Sequence, residues 1–139
     1  MKNKAGCIPF FIEDGQVYMK FMKPSNPAYG GPRFQIAKGH IDAGENPATA
    51  GVREAGEELG LRFKSIKKLI KGPKIKVTGV EEESVLHVFL ALIDKDTKFN
   101  RTDYEVGATK WMTPEEFASK GRKEHVAAVK AAAARIKKG

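Results

Sequence analysis

Three glutamates, Glu54, Glu57 and Glu58, have the type and the spacing to do chemistry in this 139-residue sequence. On a helix that turns about 100° per residue they gather on one side, away from the face shared by Ala48, Val52, Ala55 and Leu59. Like charges at these spacings repel by roughly a few tenths of a kcal/mol per pair, and by more when shielded from water. A hard divalent cation converts that repulsion into binding. Mg²⁺ in particular takes a few carboxylate oxygens, keeps some of its waters and bridges substrate phosphates. Arg53, one helical turn before Glu57, is spaced to hold that carboxylate in place. The plain alternative is a solvated acidic helix face. Against it stand Gly51 and Gly56, each about 1 kcal/mol less favourable than alanine inside a helix, in a segment not composed for helical stability alone.

The elements that must position these residues follow from local signals. Asn46 suits an N-cap, Pro47 the first helical position and Gly60 the left-handed residue that ends a helix, so a helix is expected at Pro47 to Leu59. Ala5 to Glu13 and Val17 to Lys23 read as two antiparallel strands joined at Asp14-Gly15. Pro24 to Pro32 reads as loop, and Phe34 to Ile36 as a short strand leading into Lys38 to Gly44. Phe63 to Lys71, Lys74 to Thr78, Val85 to Ile93 and Gly107 to Met112 are further strands, with turns expected at Gly72-Pro73 and at Asp94 to Asp96. Thr113-Pro114-Glu115-Glu116 opens a short helix. From Arg122 onward Val126, Val129, Ala133 and Ile136 recur at helical spacing, so a terminal amphipathic helix packs on the body. Strands with intervening and terminal helices give an α/β fold with a mixed sheet, and residues 1–139 form one domain.

The segment from Gly39 to Leu61 carries Gly39, Glu45, Arg53, Glu54, Glu57, Glu58, Gly60 and Leu61 in register with the Nudix box, G-x5-E-x7-R-E-U-x-E-E-x-G-U, where U is a bulky aliphatic. A chance match of its seven fixed letters is on the order of 10⁻⁸ per starting position. The chain therefore resembles the Nudix hydrolases, with Ala55 departing from the box where a larger aliphatic is usual. The resemblance implies an α/β/α sandwich with a mixed central sheet. It also implies that Glu54, Glu57 and Glu58 coordinate Mg²⁺ or Mn²⁺, that Gly39 adds its carbonyl, that Arg53 orients a glutamate and that Glu45 supports the loop and helix start. Such metals hold phosphates, draw charge from phosphoanhydride oxygens and acidify a bound water.

The general base varies in this family, being a box glutamate or an acid on a later loop. Glu58 and Glu105 are the candidates here, and Glu81, Glu82 and Glu83 form a rival group that also reads as a solvated turn. Lys38-Gly39-His40-Ile41 is similar to the variant seen in diadenosine polyphosphate hydrolases, with Ala37 in place of their usual proline. Arg33, Lys38 and His40 are candidates for phosphate contacts, and Tyr29 or Phe34 for stacking on a base, Phe34 reading more readily as core. The substrate class implied is a nucleoside diphosphate derivative, dinucleoside polyphosphates or ADP-ribose foremost. Removal of pyrophosphate from nucleoside triphosphates or RNA 5′ ends, and a catalytically silent nucleotide sensor, are the alternatives.

Composition sets the outer limits. With 41% hydrophobic and 30% charged residues the chain has material for a real core. No apolar run approaches the roughly 20 residues that span a bilayer, and the single Cys7 forbids an intramolecular disulfide, so a cytoplasmic protein is expected. The net charge of +8 favours polyanions. Much of it lies in Arg62, Lys64, Lys67, Lys68, Lys71, Lys74 and Lys76 and in the final helix, where solvated lysines are the simpler reading. These stretches permit nucleic acid without any aromatic-and-glycine motif that requires it. His40, His87 and His125 form no metal spacing, and no histidine adjoins Cys7 in sequence to make it a nucleophile.

Overall fold

The computed structural model describes residues 2–28, 31–78, 83–102 and 106–138. Its elements run β1 (Lys2–Glu13), β2 (Gln16–Pro24), β3 (Lys38–His40), α1 (Pro47–Leu59), β4 (Lys68–Thr78), β5 (Glu83–Leu92), β6 (Val106–Met112), α2 (Pro114–Lys120) and α3 (Lys123–Lys138). The sheet order is β4-β5-β1-β2-β6, with β3 paired to β1. Only β1 and β5 run parallel among the named pairings, so the sheet is mixed. β5 lies along Lys2 to Phe10 of β1; the opposite edge of β1 is divided between β3, at Lys4 to Gly6, and β2, from Phe10 onward.

Strand alternation supplies a core to each face. Ile8 and Phe10 of β1, Met19 and Phe21 of β2 and Leu86, Val88 and Leu90 of β5 face α2 and α3, meeting Phe117, Ala128, Val129, Ala132 and Ile136. Cys7, Met22, Phe89 and Ala91 point the other way, against Ala55 and Leu59 of α1. The result is the helix–sheet–helix sandwich expected from the sequence.

α1 has the limits its caps dictate. The Asn46 side chain accepts from Thr49 N at 2.8 Å, and Gly60 takes φ 81°. Gly51 has a packing role, because a Cβ there would stand 2.8 Å from the Gly6 carbonyl oxygen of β1. α2 likewise begins with the Thr113 cap, whose hydroxyl accepts from Glu116 N while the Glu116 carboxylate accepts from Thr113 N.

Three strand expectations need correction. Phe34 and Gln35 make only isolated bridges, to Gly121 and Met22, and the strand in this region is Lys38–His40. Phe63 to Lys71 does not begin as strand: Ser65 N and Ile66 N close back on Arg62 O and Phe63 O, forming a 3-10 turn that leaves Phe63 76% exposed. Gly72-Pro73 is not a turn between strands. It is an irregularity inside the single strand β4, whose register shifts between Lys71 and Lys74 because β5 continues straight alongside.

Candidate active site

The box helix and the loop before it are joined by the Arg53 guanidinium. Its Nε donates to Glu45 Oε2 at 2.9 Å and its Nη2 to Glu45 Oε1 at 3.0 Å, a bidentate pair. Nη2 also donates to the His40 carbonyl at 3.0 Å, and Nη1 to Glu54 Oε1 at 2.9 Å and Glu57 Oε1 at 3.3 Å. Glu45 further accepts from Asp42 N at 3.0 Å. Arg53 first and this backbone bond second hold the Glu45 carboxyl below its ordinary range. The spacing from Arg53 to Glu57 is used, as the helix dictates, but its strongest partner is Glu45, eight residues earlier in the chain.

Glu54 and Glu58 turn inward. Glu54 is 9% exposed, and burial, then the charge of Glu57, raise its pKa. Burial pushes Glu58 up to about 8 against the opposing pull of Lys38. Each of the two carboxyls disfavours ionisation in a setting shielded from water. Lys38 N donates to Glu58 Oε1 at 3.3 Å, and the Lys38 ammonium is disfavoured by burial and then by Arg122. A Cβ on Gly39 would overlap the Glu54 carboxylate and displace it from its place against the backbone.

Among the described residues no three acidic, histidine or cysteine side chains stand gathered as a ready metal cage. Glu57 is turned to Arg53, while Glu54 and Glu58 lie shielded from water. The donor set nonetheless fits a hard divalent ion: clustered carboxylates, two of them shielded from water, beside a glycine backbone with no Cβ in the way.

The other candidates are dispersed. His40 gives its carbonyl to Arg53, and its exposed side chain lines an open cleft of about 540 Å³ with Asn3, Glu45 and His87. Lys38 is directed to the box glutamates. Arg33 donates to Ser119 O at 3.1 Å, at the end of α2. Phe34 packs against the α2/α3 core. Glu83 pairs with Lys76 at 3.3 Å. Tyr29, Glu81, Glu82 and Glu105 lie outside the described residues. Burial lifts the Cys7 thiol to about 12, which removes it as a nucleophile.

Sequence reasoning missed His125. It is fully buried at the start of α3, and its Nδ1 accepts from Ile36 N at 3.2 Å. Together with Cys7 N to Ala37 O at 3.2 Å, this bond fixes the backbone that leads into Lys38 and Gly39. No local signal distinguishes it from an exposed histidine in a helix's first turn.

Comparison with known proteins bears on the family and the fold. The family model described as the NUDIX domain matches residues 2–132. A protein of Acanthamoeba polyphaga mimivirus, provisionally named an mRNA-decapping protein, is 30% identical over 126 residues, which is 86% of this chain and 33% of that protein. An uncharacterised Nudix hydrolase of Rhodococcus erythropolis is 26% identical over 119 residues, covering 83% of this chain and 64% of its own length. The chain thus spans less than two thirds of either relative. Among solved structures, a C. elegans Ap4A hydrolase in a binary complex superposes with a TM-score of 0.83 at 17% identity, covering 100% of both chains. The Nudix domain of Shewanella oneidensis NrtR with ADP ribose gives 0.77 at 14% identity, covering 98% of this chain and 88% of that one.

Proposed function

We propose that this chain, which belongs to the Nudix family, is a divalent-metal-dependent pyrophosphohydrolase that splits a phosphoanhydride bond in a nucleoside diphosphate derivative. Dinucleoside polyphosphates such as diadenosine tetraphosphate, or ADP-ribose, are the substrates it fits best, and Mg²⁺ or Mn²⁺ the ion. The observation that carries the reading is the pair of shielded carboxylates, Glu54 and Glu58, beside Gly39 and braced by Arg53. The Lys38-Gly39-His40-Ile41 stretch, and the fold shared with an Ap4A hydrolase and an ADP-ribose-binding domain, support the substrate class.

Glu54, Glu57 and Glu58, with the Gly39 carbonyl, would hold the ion. When bound it would draw charge from the phosphoanhydride oxygens and acidify water at neutral pH. This chain's own residues do the rest. Burial raises the pKa of the Glu58 carboxyl, which suits it to accept a proton from water. Glu105 is the other candidate base. Arg53 fixes the direction of the Glu54 carboxylate and ties the exposed Glu57 carboxylate to the helix, and Lys38 stabilises the charged form of Glu58.

A panel of dinucleoside polyphosphates, ADP-ribose, nucleoside triphosphates and 5′-triphosphorylated or capped RNA, assayed with Mg²⁺ and Mn²⁺ and with product analysis, tests this. Release of mononucleotides from at least one of the first two classes is expected, with Glu57→Gln or Glu58→Gln lowering kcat at least 100-fold. Unchanged activity in these variants would sink the mechanism. A second reading, action on triphosphates or RNA 5′ ends, is favoured by the mimivirus relative's name and by the basic surface, and the same panel separates it. Nucleotide binding without turnover under either metal would point instead to a sensor.

A further inference from the structure

On a regular strand residues three apart point to opposite faces. Lys71 and Lys74 break that rule. Lys71 stands opposite Phe89 and Lys74 opposite His87, so three steps along β4 match two along β5. The extra residue is absorbed at Gly72-Pro73, and both ammonium groups end on the face of Phe89, the face that α1 covers. Bulges of this kind re-aim side chains. Gly72 is required there, since a Cβ would stand 2.8 Å from the Val88 carbonyl oxygen.

Two like charges brought to one face are unfavourable unless something acidic meets them. Among the described residues neither lysine makes an ion pair; the nearby pairs use Lys67 with Asp94 and Lys76 with Glu83. Instead they line a cleft of about 340 Å³ with Asn46, Pro47, His87 and Phe89. Pro47 and His87 also line the cleft at His40 and Glu45, so the two clefts adjoin and make up a trough between Glu45 and the bulge. Among the described residues that line it Glu45 is the only carboxylate, and Arg53 already pairs with it. Burial, then Lys74 and Lys71, lower the pKa of His87, a sign of the positive potential there.

We propose that this trough is a subsite for an extended polyphosphate, in which the phosphates beyond those held at the box lie along His87 and against Lys71 and Lys74. The inference deepens the proposed function and rests on it for the direction of the chain. It makes Lys71 and Lys74 determinants of preference for substrates with longer phosphate chains over those with two phosphates.

Inorganic tripolyphosphate, titrated calorimetrically into the full chain without divalent cation, probes the trough apart from catalysis. Binding is expected, weakened at least tenfold in Lys71→Glu/Lys74→Glu and clearly in the gentler Lys71→Gln/Lys74→Gln. Lys137→Glu/Lys138→Glu, the same charge change on α3 across the sheet, should alter it less than twofold. With metal present, the Gln pair should raise KM for diadenosine tetraphosphate several times more than KM for ADP-ribose. No binding by the wild type, no loss in the Lys71/Lys74 pairs, or equal loss in the α3 pair would overturn the subsite. Binding that depends on Lys71 and Lys74 in a chain that hydrolyses no nucleotide would leave the subsite standing and remove the proposed function. Hydrolysis with binding indifferent to these lysines would do the reverse.

Discussion

Arg53 makes one planar group serve four acceptors, and that geometry cannot be copied by another cation. Lysine presents a point charge on a flexible stem and has no fork for Glu45. Arg53→Lys should therefore keep the charge balance yet free Glu54 and Glu57, lowering kcat/KM and Mg²⁺ affinity by roughly 10- to 100-fold, as losses in the shell around metal ligands typically do. Metal titration followed by kinetics checks this, with thermal unfolding as the control. A variant that binds metal normally would show that the carboxylates need no brace.

The element that bears the site, α1, is pressed unusually close to β1 at Gly51 and Gly6. Alanine at an exposed helical glycine gains about 1 kcal/mol. At Gly51 the new Cβ would press on the Gly6 backbone, which cannot move without shifting β1. Gly51→Ala should then be destabilising by about 1–3 kcal/mol, a cost typical of overpacking. Gly56 has its nearest foreign atom at 3.3 Å, the Leu61 carbonyl oxygen, so Gly56→Ala should be the more stable of the two. Removing the cap with Asn46→Ala should cost about 1 kcal/mol. Urea unfolding of the three variants ranks these effects, and a stabilised Gly51→Ala would refute the close-packing account.

At the scale of the whole molecule, His125 ties α3 to the loop that feeds the box. It is buried near Lys38, Arg122 and Lys4, and burial first, then these charges, hold its pKa well below the ordinary 6.5. It is therefore neutral in the folded protein and protonates on unfolding. The unfolded chain takes up the extra proton below pH 6.5, so stability is full above that value and falls as the pH drops, approaching about 1.4 kcal/mol per pH unit. His87, also lowered, adds in the same direction. The difference in unfolding free energy between wild type and His125→Gln, measured from pH 8 to pH 5, isolates the His125 share. A difference that does not change with pH would mean that the imidazole is not held neutral. Among the described residues Nε2 of His125 has no hydrogen-bond partner, a buried polar atom left unsatisfied.

The amino-acid sequence by itself determined what depends on near neighbours: the start of α1 at Asn46-Pro47 and its end at Gly60, the cap of α2 at Thr113, the hairpin at Asp14-Gly15 and the gathering of Glu54, Glu57 and Glu58 on one side of a helix. Caps, turns and helical spacing act within about four residues, so no distant part of the chain is needed to read them. The tertiary structure decided what depends on a partner far along the chain. The register of β5 turned Gly72-Pro73 from a turn into a bulge and brought Lys71 and Lys74 to one face; pairing with β1 placed the short strand at Lys38–His40 rather than Phe34–Ile36. Burial raised the pKa of Glu58 and lowered that of His125. Three box glutamates could thus be found from their spacing, whereas the trough beside them and the histidine behind them arise only where separate strands and helices meet.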